Sequence, residues 1–415
     1  MATTELAPPA SAAGSLWRDR DFVRLWAARV VSTAGSAVTA VALPVLMYEE
    51  THSPALTSLL TATAAAPYLV FGLFAGAMAD RSDRRRLMVA MDLVNAVLLA
   101  TIPIAALFGR PAPWQLLAVA WAAASVGVWF DAANFGALPT LVRPDQLVEA
   151  NSRVWSASTA VQIGMPAAAG VLIAAIGASG SVALDAVSFA ASALLVLTIV
   201  RPLNAQRERP PSGSRNLLAD VKAGLRFLFT EPTIRLFTAL GAVNGFCGGA
   251  VIGLLVVYAD LRFGIGAGDS RLGILFAAGG VGSLLATLLL PRLSRTFPPE
   301  RLTITGLYLG GAALVAVALA PTWWLAAILL AAWGISSMIV IVNGISVRMI
   351  RTPEPLQGRV NVVGRMLTFG VGQPLGAVAA GVLAERLPVA ATLLLCAVPI
   401  ALAAVAGTVV VRRRS

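Results

Sequence analysis

Apolar runs of membrane-crossing length recur from one end of this chain to the other, and no other feature restricts its fold as much. About 20 helical residues cross the hydrocarbon core of a bilayer. That layer offers no partner to a backbone N–H or C=O, so each crossing must satisfy its own hydrogen bonds, as a helix does. Such runs are read at 22–48, 54–79, 87–108, 114–136, 155–177, 180–200, 234–259, 270–290, 302–320, 323–346, 359–384 and 390–411. Twelve crossings use about 240 residues and leave only short loops in a chain of 415. Charged residues are 12% of the chain, against about 25% in an ordinary soluble domain. The expected fold class is therefore an all-α integral membrane protein with twelve transmembrane helices. The opening segment, MATTELAPPASAAGS, is polar and lacks the apolar core of a signal peptide, so the first span is expected to direct insertion.

The net charge of +11 might point to nucleic acid, but its placement excludes that partner. The arginines sit in the short gaps between apolar runs, where they meet lipid headgroups and water. With the N-terminus inside, 25 of the 31 Lys and Arg residues fall in inner segments and four (Arg110, Arg262, Arg271, Arg386) fall outside. Cations favour the cytoplasmic side of a membrane, so the chain is expected in the inner or plasma membrane with both termini cytoplasmic. Cys247 and Cys396 both lie within apolar segments and His52 is the sole histidine. This pattern argues against a disulfide framework and a metal site, and no cofactor is expected. No nucleophile–base–acid set appears, which disfavours an enzyme.

The two halves match. Arg24 in FVRLW corresponds to Arg235 in TIRLF, Tyr48 to Tyr258, Gly72 to Gly282, and Gly164 with Pro166 to Gly372 with Pro374, at offsets of 208 to 211 residues. Ordered anchors at nearly one offset indicate a repeat of six spans. The expected organisation is a cytoplasmic tail (1–21), an N-terminal six-helix bundle (22–200), a cytoplasmic linker (201–233), a C-terminal six-helix bundle (234–411) and a short tail (412–415). Two pseudo-symmetric six-helix bundles in parallel repeat are the architecture of one large transporter class, with the substrate site between the halves near midplane. Within the linker, Leu217, Leu218, Val221, Leu225 and Leu228 share one helical face. That amphipathic helix can lie on the inner leaflet or pack on the protein's own loops.

The sharpest motif is GLFAGAMADRSDRRR at 72–86. Gly72 and Gly76 form a small-xxx-small face that allows close helix approach. Asp80 stands where the second span leaves the membrane, followed by Arg81, Arg84, Arg85 and Arg86. The arginines alone would serve as a stop-transfer signal. With the acid and the glycine spacing, they can form a breakable charge network that favours one arrangement of the halves.

Gly76, Asp80, Arg81, Arg84 and Arg85 match, position by position, the G-x-x-x-D-R-x-x-R-R loop of the major facilitator superfamily, which this segment resembles. The stretches at 22–46, 137–151, 184–195 and 358–376 are similar to the branch of bacterial macrolide-efflux and enterobactin-exporter proteins. The resemblance implies the major facilitator fold, with Asp80 capping the helix that begins near Gly358 and Arg84 paired with Asp131. GMPAAAG at 164–170 resembles, in degenerate form, the G-P-x-x-G-G motif of superfamily exporters, with Gly164, Pro166 and Gly170 retained. This tilts the direction toward export. The resemblance also implies a proton gradient as energy source. The chain has no acid in its first span and no arginine midway along its fourth, where several superfamily antiporters carry theirs.

Charges inside membrane spans are functional candidates by default. Here they are Arg29, Asp92, Asp131, Asp185 and Arg365. Superfamily cavities are lined by the first, fourth, seventh and tenth spans. On those spans lie Ser32, Thr33, Ser36, Thr39, Trp129, Asn134, Asn244, Phe246, Trp333, Ser336, Ser337 and Asn343. This mostly neutral and apolar set suits a lipophilic small molecule. The leading expectation is a monomeric secondary transporter that exports a drug, antibiotic or siderophore-like compound by alternating access. Uptake or facilitated diffusion is a second reading, and a non-transporting membrane sensor or assembly partner is a third.

Overall fold

The computed structural model describes residues 16–79, 81–204, 225–266 and 268–412, and the element order along them is entirely helical. Helices α1 (Arg20–Thr51), α2 (Pro54–Ala79), α3 (Arg84–Leu107) and α4 (Pro113–Leu141) open the first half. They are followed by one helical rod, Leu147–Leu197. A straight helix of that length would run about 76 Å, more than twice the hydrocarbon thickness. The rod breaks at Gly177, where φ is 75° and ψ is 168°, giving α5 (147–176) and α6 (178–197). The Trp26 indole donates to the carbonyl of Arg153, and Asp21 accepts from the backbone of Val200 and Arg201. Both ends of the rod therefore meet the first turns of α1, so the chain turns back at Gly177.

The second half repeats the pattern with α7 (Pro232–Phe263), α8 (Ser270–Thr296), α9 (Pro299–Leu319) and α10 (Trp323–Arg351). Glu354–Arg365, a π-helical turn at Met366–Gly372, and Gln373–Ala384 run on as one helix, α11. Val389–Arg412 is α12. Among the described residues eleven helices are long and apolar enough to cross a membrane, and the break at Gly177 makes the longest of them two crossings.

Acidic residues start several helices. Asp19 accepts from the N–H groups of Asp21 and Phe22, Asp83 from Arg86, Glu231 from Ile234, and Asp269 from Arg271. Each meets free N–H donors and the positive end of a helix dipole. Large apolar side chains stand exposed on α3 (Val97, Ile104), α6 (Val187, Leu194), α9 (Leu309) and α12 (Leu402). A water-soluble surface does not tolerate such belts, but lipid does, so these helices form the outer wall of a multi-pass membrane protein. Polar side chains such as Asp92, Asn95, Asp185, Asn244 and Asn343 are buried instead.

The amphipathic stretch expected in the linker lies outside the described residues up to position 224. Its described end, 225–230, is helical. Leu228 there packs with Ile234, Val360 and Val363, so this end lies on the protein's own helices. Replacing Gly177 by Val should destabilise the fold by about 1–3 kcal/mol, the cost of a backbone region essentially reserved for glycine. A lowered thermal midpoint of the detergent-solubilised protein checks this. An unchanged midpoint would mean that α5 and α6 turn elsewhere.

Candidate functional site

Each helix runs between a terminal face, which holds the start of α1, the α2–α3 turn and the end of α12, and a far face. At the far face the halves are joined. Tyr48 on α1 donates its hydroxyl to Asp260 on α7 at 3.1 Å, and Ser58 on α2 donates to the carbonyl of Gly253 at 2.9 Å. Glu385, at the end of α11, accepts from the Ser53 hydroxyl at 2.5 Å and from the Ala55 N–H at 3.0 Å. Ser53 Oγ in turn accepts from the Leu56 N–H. Ser53 thus caps α2, and a carboxylate from the other half of the protein takes a further free N–H of its first turn. The Ser53 hydroxyl and the Ala55 N–H hold the Glu385 carboxyl below the usual glutamate range.

A close helix crossing completes the closure. A Cβ at Gly170 on α5 would lie 2.8 Å from the backbone N of Gly273 on α8, and one at Gly273 would lie 2.5 Å from the carbonyl oxygen of Pro166. The Gly/Pro motif at 164–170 thus lies where α5 crosses α8. Gly164 faces open space. In the second half, Gly372 packs against the Ala242 carbonyl of α7, and Pro374 follows the π turn.

At the terminal face, α10 and the first limb of α11 pack on helices of their own half and have little contact with the first half. Phe135, Trp155 and Ile350, toward the terminal ends of α4, α5 and α10, are exposed. The halves are closed at the far face and, along α10 and the first limb of α11, set apart at the terminal face. Arg29 on α1 pairs with Asp131 on α4, whose side chain is 56% exposed. Ser36 is exposed two turns further along the same face of α1.

The expected pairing of Arg84 with Asp131 is not the one found. The Arg84 guanidinium is buried and donates to the carbonyls of Gly136 and Leu203. It passes over Gly136, where a Cβ would lie 2.6 Å from Nε, while Asp131, five residues earlier on α4, turns toward α1. Arg85 donates to the carbonyl of Leu197, and Arg81 is exposed. Both buried or bonded loop arginines therefore stitch the first half together. Arg201 does the same, binding Asp19, Asp21 and the Leu141 carbonyl. Asp80 lies outside the described residues. Gly72 and Gly76 lie on the last two turns of α2.

Several residues expected in the cavity lie inside their own bundles instead. Thr39 donates to Asp185 at 2.6 Å, and Ser188 donates to the other oxygen of that carboxyl at 2.9 Å. Asn244 donates to Ser337 at 2.9 Å. Ser32 bonds the Arg29 carbonyl and Ser336 the Ala332 carbonyl of their own helices, and Trp333 and Asn343 are buried. In an apolar medium, polar groups on neighbouring helices satisfy one another, so polarity alone does not mark a cavity wall. Trp129 is half-buried, its ring centroid 6.0 Å from that of Phe71, and Thr33, Asn134 and Phe246 are also half-buried.

Of the remaining membrane charges, Arg365 is exposed at the end of the first limb of α11. Asp92 on α3 is 1% exposed, and neither of its carboxyl oxygens has a hydrogen-bond partner among the described residues. Sequence reasoning missed Ser53, Glu385, Asp260, Asp83 and Arg201. Asp83 and Ser53 left a local signal, a capping residue type directly before a helix start. The others act through partners far away in the chain.

Helices of this number, paired as two halves joined at one face, fit a membrane transporter. A family profile described as "transmembrane secretion effector" matches residues 11–414, and the chain belongs to this family of major facilitator transporters. It is 29% identical over 397 residues to the multidrug efflux pump Tap of Mycolicibacterium fortuitum, covering 93% of this chain and 95% of that one. It is 26% identical to the enterobactin exporter EntS of Citrobacter koseri, covering 82% of this chain and 80% of that one. Macrolide efflux protein A of Streptococcus pyogenes is 27% identical over half of each chain, 50% and 51%. A bacterial homologue of the lysosomal transporter Spinster, crystallised inward-facing and unoccupied, superposes with a TM-score of 0.77 at 15% identity, covering 97% and 98% of the two chains. The protein is an efflux transporter of the major facilitator superfamily, not an enzyme.

Glu385→Ala should loosen the far face. A cysteine placed at Ser58, fully buried beneath the closure, should then react several-fold faster with a maleimide in nanodiscs, and unchanged labelling would remove Glu385 from the closure. Because its carboxyl titrates below the usual 4.5, its contribution is complete above that pH and is lost as the pH falls through the lowered value. Closure by this group should therefore stay constant between about pH 5.5 and 8.

Proposed function

We propose that this transporter exports lipophilic small molecules by alternating access, driven by a proton gradient, with both termini cytoplasmic. One observation carries the reading: the halves are sealed at one face by residues drawn from both and set apart along α10 and the first limb of α11 at the other. A rocking exchange of that closure needs polar contacts that can separate and helices that can part smoothly, and the far-face hydrogen bonds and the glycine-lined α5–α8 crossing supply both. On this reading the terminal face is cytoplasmic, in accord with the arginine bias, and the protein is open to the inside. The similarity to drug and siderophore exporters supports an amphipathic organic cargo. Asp80, in the motif shared with the superfamily, is assigned to the opposite gate at the terminal face.

Asp92 is the coupling acid in this proposal. A carboxyl group exchanges protons in response to conformation when its surroundings, rather than fixed hydrogen bonds, set its state. Asp185 is held by two hydroxyl donors, which suits a structural role. Asp131 already has Arg29. Asp92 makes no hydrogen bond within normal geometry among the described residues; the Ser192 hydroxyl, itself without a partner there, is the donor beside it, and Arg29 acts on it through space.

Everted vesicles should accumulate a fluorescent lipophilic dye when energised and lose it on addition of a protonophore. Asp92→Asn should abolish gradient-driven accumulation while leaving dye counterflow intact. Accumulation that survives collapse of the gradient would exclude proton coupling, and full activity of Asp92→Asn would move the coupling role to another acid.

A further inference from the structure

Arg348 lies three residues from the end of α10. An arginine so placed on a membrane helix ordinarily extends outward to water. This one is 3% exposed, and its side chain runs the other way, toward the middle of the membrane. Its Nη1 lies 3.6 Å from the position of a Cβ at Gly344, one turn further in. Its Nε lies 2.7 Å from the position of a Cβ at Gly364 on α11, so a glycine there opens the path for the guanidinium.

The group borders a small recess of about 10 Å³, room for about one water, between α7, α10 and α11. Val340, Ile341, Ile345 and Phe369 form its apolar wall, and Ile341, Ile345 and Phe369 are partly exposed, so the recess is open. Among the described residues Arg348 has no carboxylate partner, and its one hydrogen bond is from Nε to Asn361 Oδ1 at 3.4 Å. A second cation, Arg365, acts on it through space. The buried arginine of the first half behaves differently, since Arg84 directs its donors to backbone carbonyls. A buried guanidinium with its outer N–H groups uncommitted is unfavourable alone and matches an oxyanion bidentately.

We propose that Arg348, at the open side of this small recess, forms an anion subsite of the transport pathway. It takes the oxyanion of an amphiphilic molecule, a carboxylate, sulfonate or phosphate, whose apolar body lies along Ile341, Ile345 and Phe369. The role in transport rests on the exporter reading, but binding is tested without it. Purified protein in phosphatidylcholine nanodiscs is titrated with 1-anilinonaphthalene-8-sulfonate and with N-phenyl-1-naphthylamine, which keeps the rings and lacks the sulfonate. Quenching of protein tryptophan reads both.

Arg348→Gln should weaken the sulfonate by at least about tenfold, the scale of a lost charged hydrogen bond, and leave the neutral amine unchanged. Arg348→Lys should restore most of the sulfonate affinity. Addition of phosphatidylglycerol separates two sources of the anion. Competition in the wild type but not in Arg348→Gln marks a lipid headgroup as occupant, and the lack of competition marks a solute. Equal sulfonate affinity in wild type and Arg348→Gln would overturn the proposal, as would parallel loss of both probes from a protein that still elutes as a folded species. Because no gradient or flux enters the binding measurement, failure of efflux and failure of anion binding are distinguishable.

Discussion

Hydrocarbon hydrogen-bonds to nothing, and every level of this structure follows from that. Helices are the form in which the backbone can cross, and a polar side chain must find its partner inside the protein. That requirement draws Thr39 to Asp185 and Asn244 to Ser337, and it leaves lipid-facing positions to valine, leucine and isoleucine. It also concentrates mechanism into the few polar contacts that cross between the halves. In a water-soluble protein, contacts as exposed as Glu385 with Ser53 would be worth little. Here they form much of the polar joint between two bundles that must separate for transport.

The two halves are related in sequence, yet they use matching residues differently. Tyr48 and Tyr258 occupy equivalent places. Tyr48 crosses to Asp260 in the other half, whereas Tyr258 turns inward to the carbonyl of Val317. Each half also buries an arginine at a position the other half does not match, Arg84 at the start of α3 on carbonyls and Arg348 near the end of α10 beside a recess. A symmetric frame with asymmetric contacts can have one face sealed while the other is parted.

Much of the frame was legible in the chain. Apolar runs located every crossing, because length and composition are local properties, and the offset between halves revealed the repeat. The break at Gly177 was legible as a short gap between two runs, since only glycine adopts that backbone cheaply. The contacts were far less legible. Arg84 was matched to Asp131 by motif, but the direction of a guanidinium depends on which neighbouring helix carries a glycine, here Gly136. Glu385 acts on residues about 330 positions away, and nothing near it in the chain signals a cap. Polar residues on the expected cavity helices could not be sorted into wall and interior, because rotation of a helix about its axis is set by packing.

The π turn at Met366–Gly372 has a consequence for how α11 serves two neighbours. Such a turn accommodates one residue more than an α-helix of the same rise, and one residue corresponds to about 100° of rotation. The limb bearing Asn361, Gly364 and Arg365 is therefore phased independently of the limb that carries Gly376 past α7. Helix α11 is thereby two rods on a common axis, joined by a π turn midway along it. A shift of that π turn by one position would rotate the lower rod while the upper rod stayed seated and the axis stayed straight.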